Sequence, residues 1–207
     1  MAEALSHLTD EELAHRAQAG EVGAFETLVE RFEARIYRFA LHWCGREADA
    51  REITQDTFVA AYLHLNRFDS AHAFVTWLFT IARRKCIDHA RRAPVVGAEP
   101  IGEEADTHDP FELMARREAC DDLWALARRV LPATQFQTLW LHYVEDLSVR
   151  DVARVTGKTL PHVKVLLFRA RRTLGRELRV RRALEGASAP APSGPAVAVS
   201  GLIKPTP

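Results

Sequence analysis

Lys164, Arg169, Arg171 and Arg172 fall with His162, Val165 and Phe168 on one side of a single periodic stretch. Cations and an apolar pair on one helix face suit phosphate neutralisation and contact with base edges in a DNA groove. The other side repeats Val163, Leu166, Leu167, Ala170 and Leu174 at helical spacing and is expected to be buried. The helix ahead of it is predicted to start at Ser148, a capping hydroxyl, with Asp151 three residues on reaching back in a variant of the capping box. That helix buries Val149, Val152 and Ala153. Thr156-Gly157 stops it, because glycine takes the left-handed cap conformation without strain. Thr159 can cap the second helix, and Pro161 is tolerated in its first turn, where an amide hydrogen would have no intrahelical partner. An ordinary helical hairpin with a solvated basic face carries the same pattern.

A second place with chemistry is the run from Phe68 through Phe74 and Trp77 to Arg83-Arg84-Lys85 and Arg91-Arg92. Unpaired bases stack on aromatic faces, at about 1 to 3 kcal/mol per base, while cations hold the backbone. Phe74 and Trp77, three apart, equally suit a helix core. Nothing in the chain has the spacing of a nucleophile and base, a glycine-rich phosphate loop or a carboxylate dyad. Cys44, Cys86 and Cys120 are odd in number and widely spaced, which fits neither a disulfide framework nor a zinc site. His42 and Cys44 are two apart, so on a helix they point away from each other. The chain is therefore expected to hold no catalytic residues, no metal and no cofactor, although an enzyme or metal sensor using some of its nine His and three Cys is the remaining catalytic reading.

The charge balance of these 207 residues is zero by cancellation. Residues 1–93 carry 12 basic and 14 acidic side chains, residues 94–127 carry 2 and 9, and residues 128–185 carry 13 and 5. A basic block joined to an acidic one points to phosphate neutralisation at one end, with a solvated linker or a nucleic-acid mimic in the middle. The N-terminus has neither the positive start nor the apolar run of a secretory signal, and no stretch has the apolar length of a membrane span. A cytoplasmic protein without membrane insertion is expected.

Those side chains need helices to position them, and helices are predicted nearly throughout. Thr9-Asp-Glu-Glu12 opens a short one that Gly20 closes. Phe25, Leu28, Val29, Phe32, Ile36, Phe39, Ala40 and Trp43 mark one long amphipathic helix, which Gly45 ends. A third runs from about Asp49 to Leu65, burying Ile53, Phe58, Ala61, Tyr62 and Leu65 and leaving Asp49, Glu52 and Asp56 on its other side. A fourth, Phe74 to Arg92, buries Leu78, Ile81, Ala82 and Ile87. Pro94, Gly97, Pro100 and Gly102 mark a linker, helices resume near Pro110, and from Gly186 Ala, Pro, Ser and Gly predict a mobile tail. The expectation is an all-α chain of two small helical domains, residues 1–93 and 113–185, joined by a flexible acidic linker over 94–112 and followed by a tail over 186–207.

Three motifs in order carry a resemblance. Asp49-Ala-Arg-Glu-Ile-Thr-Gln-Asp-Thr-Phe58, the helix from Phe74 to Arg92, and the series Leu131-Pro132, Leu147-Ser148 and Val163-Lys164 through Phe168-Arg169-Ala170-Arg171 resemble an extracytoplasmic-function sigma factor. That is the small two-domain class, group IV, of the sigma-70 family of bacterial transcription initiation factors. The resemblance covers residues 9 to 180 and implies a non-enzymatic promoter-specificity subunit. Its implied partners are the β and β′ subunits of core RNA polymerase, promoter DNA and an anti-sigma factor. It places Asp49, Glu52, Gln55 and Asp56 on the polymerase clamp, and Asp69, Ser70, Ala71 and His72 in the loop that receives a flipped base of the −10 element. Trp77 falls near the melting site, with Arg83, Arg84, Asp88, Arg91 and Arg92 facing template or backbone. His162, Lys164, Val165, Phe168, Arg169, Arg171 and Arg172 fall in the helix that reads the −35 element.

Two departures bear on specificity. Where the family usually has Gly-Thr-Val-Lys-Ser-Arg, this chain has Pro161-His-Val-Lys-Val-Leu166, losing polar groups that contact phosphate or base edges. Arg84 stands where an Asn is common. A weakened or unusual −35 preference follows, and so does the alternative of a decoy that binds an anti-sigma protein without reading DNA.

Overall fold

Thr9 opens the first helix through a complete capping box. Its hydroxyl accepts the Glu12 N–H at 3.2 Å, and the Glu12 carboxylate accepts the Thr9 N–H at 2.8 Å. The computed structural model describes residues 5–92 and 123–187, with side chains as far as Arg181. Its helices are α1 (Asp10–Gln18), α2 (Val22–Cys44), α3 (Glu47–Leu63), α4 (Phe74–Arg92), α5 (Ala133–Tyr143), α6 (Val149–Thr156) and α7 (Leu160–Ala187), with a 3₁₀ turn at Leu65–Arg67. Residues 123–130 are helical as well, and no strand occurs among the described residues. The fold class is all-α, as the sequence predicts.

The long amphipathic α2 is the spine of the first half. It buries Phe25, Leu28, Phe32, Ile36, Phe39 and Ala40 and packs against α1, α3 and α4. Phe32 meets Phe74, and Phe39 meets Phe79, edge to face with ring centres 5.6 and 5.4 Å apart. Gly45 ends α2 at φ 76°, a left-handed conformation that favours glycine, and a Cβ there would displace the Arg128 guanidinium.

On α3 the sequence reading needs correction. The buried stripe is Ala50, Ile53, Thr54, Thr57 and Ala61, while Tyr62 is 53% exposed and Leu65 lies in the 3₁₀ turn. Thr54 and Thr57 tolerate burial because each hydroxyl donates to the carbonyl four residues back, Ala50 and Ile53, at 2.7 Å. The stripe is thereby rotated away from Phe58, which is half-buried, and from Tyr62. Ile81 and Ile87 are likewise half-buried rather than central, and Val149 is half-buried where full burial is expected.

In the second half, α5 is buried on every side from Phe136 to Leu141. That pattern marks a helix enclosed by several neighbours. α5 packs against α6 and also against α2, and α6 packs against α4, so the two halves belong to one compact unit that ends at Leu174. From Gly175 α7 belongs to a second unit, and Gly186 and Ala187, assigned by composition to the tail, are its last helical residues. The expected linker over 94–112, Cys120 and residues 188–207 lie outside the described residues.

Candidate nucleic-acid interface

α6, a tight turn and α7 form the helix-turn-helix. Ser148 Oγ accepts the Asp151 N–H at 3.1 Å, and Asp151 reaches back to the Ser148 hydroxyl, not to its backbone N–H as in a full capping box. Gly157 closes α6 at φ 65°, and the N–H of Lys158 returns to the Ala153 carbonyl at 3.0 Å. α7 then presents its faces as predicted. Val163, Leu166, Leu167, Ala170 and Leu174 are buried. His162, Lys164, Val165, Phe168, Arg169, Arg171 and Arg172 are all exposed, with Val165 at 45% and Phe168 at 58%. Arg171 also donates to the Tyr143 hydroxyl at 3.2 Å, which ties the cationic face to the end of α5.

The loop before α4 is held from beneath by α1. Gln18 Nε2 donates to the carbonyls of Leu65 at 2.8 Å and Phe68 at 2.9 Å, and the Glu11 carboxylate accepts the Phe74 N–H at 2.9 Å at the start of α4. A carboxylate there satisfies an orphan donor and favours the positive end of the helix dipole. Within the loop Asp69 Oδ1 accepts the Ala71 N–H, and the His72 N–H bonds the Asp69 carbonyl, so Asp69 makes an Asx turn. Asp69, Ser70, Ala71 and His72 are all exposed.

Trp77 is half-buried against Phe68 and Phe74, with ring centres 5.5 and 5.6 Å away, while Phe74 itself is core. Along α4, Arg84, Arg91 and Arg92 are exposed and Asp88 pairs with Arg91. Arg83 is partly buried, desolvation lowers its pKa, and its Nε has no partner among the described residues. α4 also faces the acidic side of α3. Lys85 lies 3.5 Å from Asp56, and His89 lies 3.7 Å from Asp49, whose other neighbour is Arg46 at 3.5 Å. Of the four residues expected on one docking face, Glu52 and Gln55 stand exposed, whereas Asp49 and Asp56 are half-buried and engaged.

Glu145, Arg35 and Trp140, absent from the sequence reading, join the halves together with His42. Glu145, whose side chain is 1% exposed, accepts Arg35 Nε at 2.9 Å and Trp140 Nε1 at 3.1 Å. Burial pushes its carboxyl up, and the Arg35 cation opposes this. Arg35 in turn lies over the Phe32 ring at 4.8 Å. The His42 ring centre is 4.2 Å from that of Trp140, and burial, with Arg128 and Arg38 adding, pushes its imidazole down to about 4. Glu145 escapes sequence analysis because it sits in a turn, beside Asp146 at φ 54°. The cluster Phe136, Leu139, Trp140 and Leu141 on α5, which spreads over more than one helix face, was the available signal of a second packing partner. Among the described residues no group of His, Cys, Asp and Glu is arranged to hold a metal, and no helix is long and apolar enough to cross a membrane.

A helix-turn-helix with a cationic outer face, behind a helical half with an exposed loop over an aromatic cluster, defines a two-part DNA-binding protein. Residues 28–94 match Sigma-70 region 2 and residues 127–174 match Sigma-70, region 4. The chain belongs to the extracytoplasmic-function sigma factors of the sigma-70 family, and it directs transcription initiation at promoters. It is 33% identical over 172 residues to the ECF RNA polymerase sigma factor BldN of Streptomyces coelicolor, spanning 81% of this chain and 65% of that protein. To SigW of Bacillus subtilis it is 26% identical over 176 residues, spanning 79% and 94%. Among solved structures it is similar to CnrH in complex with the cytosolic domain of CnrY, with a TM-score of 0.63 at 27% identity over 83% of this chain and 97% of that one. The family is not known for catalysis.

Proposed function

We propose that the chain binds core RNA polymerase through the acidic side of α3, captures a −10 base in the loop from Asp69 to His72, and reads the −35 element with the exposed face of α7. The observation that carries this is the division of α7: every apolar residue expected inside is buried, and every residue expected to meet DNA is exposed. Glu52 and Gln55 offer the open part of the docking face. Trp77, Arg83, Arg84, Asp88, Arg91 and Arg92 form the melting surface. In this reading the protein has no catalysis of its own, works in the cytoplasm and is bound by an anti-sigma factor, as the sigma factor RpoE of Bartonella quintana is by the anti-sigma factor NepR. The domains run over 1–93 and 113–185.

Run-off transcription with purified core polymerase on a genomic library tests it. Discrete promoters dependent on this chain are expected. Transcripts unaffected by its addition, together with capture of an anti-sigma factor, would promote the decoy reading.

A further inference from the structure

α5 buries every residue from Phe136 to Leu141, and two positions further on Tyr143 turns outward, 51% exposed. Its neighbours hold the ring in place. The ring of His142 meets it edge to face at 4.8 Å, and His142 Nδ1 donates to the Leu147 carbonyl at 2.8 Å, since a carbonyl can only accept. The turn between α5 and α6 thereby fixes the phenol beside the cationic face of α7, where the Tyr143 hydroxyl accepts Arg171 Nη1 at 3.2 Å. A guanidinium only donates, so this bond leaves the phenol its own O–H to give elsewhere.

The partner that holds Arg171 is neutral. Arg154 and Arg176 pair with Asp151 and Glu177, whereas Arg171 meets no carboxylate among the described residues and keeps its charge for an anion. Lys164, Arg169 and Arg172 stand exposed on the same face, and repulsion among these cations would scatter an untethered guanidinium. We infer that Tyr143 belongs to the −35 interface, where it positions Arg171 and adds a hydroxyl donor, so that N–H and O–H together hold one phosphate of the duplex. The inference rests on the proposed assignment of the α7 face. It extends that interface onto the end of α5, a helix to which the sequence assigns no part in DNA contact.

Phosphate carries no sequence information, so the probe is a fluorescent duplex of about 20 base pairs and mixed sequence, titrated with the full chain across a salt series. Arg171→Ala is expected to weaken binding and to lower the salt slope by about one. Tyr143→Phe keeps the ring on His142 and removes only a neutral hydroxyl. It is expected to weaken binding about threefold to tenfold, the weight of one hydrogen bond, at unchanged salt slope and melting temperature. Without Arg171 the hydroxyl has lost its partner, so adding Tyr143→Phe to Arg171→Ala is expected to cost less than about twofold more. Wild-type affinity in Tyr143→Phe, or a full additional loss in the double variant, would overturn the inference. A loss that comes with a lowered melting temperature would do the same, as the sign of a merely structural hydroxyl. If Lys164→Ala and Arg169→Ala weaken binding while Tyr143→Phe does not, the α7 face stands and only the part given to Tyr143 falls. A wild type that binds no duplex at low salt overturns both.

Discussion

Val165 and Leu166 stand side by side where the family usually carries polar groups, yet the structure gives them opposite fates. Leu166 is 6% exposed and belongs to the packed side of α7, so its apolar character serves the core. Val165 is open beside Lys164 and Phe168 and offers apolar contact, of the kind a thymine methyl accepts. Arg169 is exposed on the same face, and in the proposed reading it contacts phosphate. Arg169→Ala is therefore expected to weaken duplex binding on promoter and scrambled sequences alike and to lower the salt slope by about one. Val165→Ser is expected to shift −35 preference while leaving that slope unchanged. Salt titration of the full chain on both duplexes reads both, because the α7 face is exposed. A sequence-selective loss with Arg169→Ala would reverse the two roles.

At the level of elements, α1 acts as a clamp on the −10 loop, a role its composition does not announce. Glu11 and Gln18 are polar residues on a short helix, and the sequence shows Thr9 and Glu12 as its cap but gives no sign that Gln18 spans to Leu65 and Phe68. Gln18→Ala would leave the Phe68 carbonyl without the Gln18 donor, while the Leu65 carbonyl keeps the Phe68 N–H, and Glu11→Ala would uncap α4, costs of about 1 to 3 and about 1 kcal/mol. Faster amide exchange at Ala71 and reduced promoter opening with unimpaired polymerase binding are the expected signs. On α3 the expected effects divide. Glu52→Lys is expected to block co-purification with core polymerase at an unchanged melting temperature, because it is exposed. Asp49→Lys is expected to lower the melting temperature as well, by replacing the carboxylate between Arg46 and His89 with a cation that faces Arg46. Periodicity made α7 legible residue by residue, because its apolar positions repeat without interruption. On α4 it found Leu78 and Ala82 but placed Ile81 and Ile87 too deep, and on α3 it found Ile53, Ala61 and Leu65 but missed Thr54 and Thr57, which hide their polarity in bonds to the preceding turn. The contact between halves was illegible for a related reason, since Glu145 makes sense only beside an arginine 110 residues away.

For the whole molecule, the contact between the halves has a proton cost that can be read. His42 is buried neutral, its imidazole pushed down to about 4 by burial, then by Arg128 and Arg38, with Trp140 and Phe136 as its aromatic neighbours. In an unfolded chain it titrates near its ordinary 6.5. A histidine depressed in this way leaves stability intact above pH 6.5 and removes it as pH falls from 6.5 toward 4, by about 3 kcal/mol at the limit. Glu145 runs the other way. Its raised carboxyl binds a proton more readily in the folded state, so acid below that raised value favours the fold and offsets part of the loss. The urea midpoint of the full chain is expected to fall between pH 7 and pH 5, and His42→Phe, which keeps a ring against Trp140, is expected to flatten the fall. Glu145→Gln should steepen it at the acid end by removing the opposing carboxyl. A His42→Phe chain with the full pH dependence of the wild type would mean that the imidazole does not carry the acid sensitivity, and the contact between α2 and α5 would lose its proton linkage.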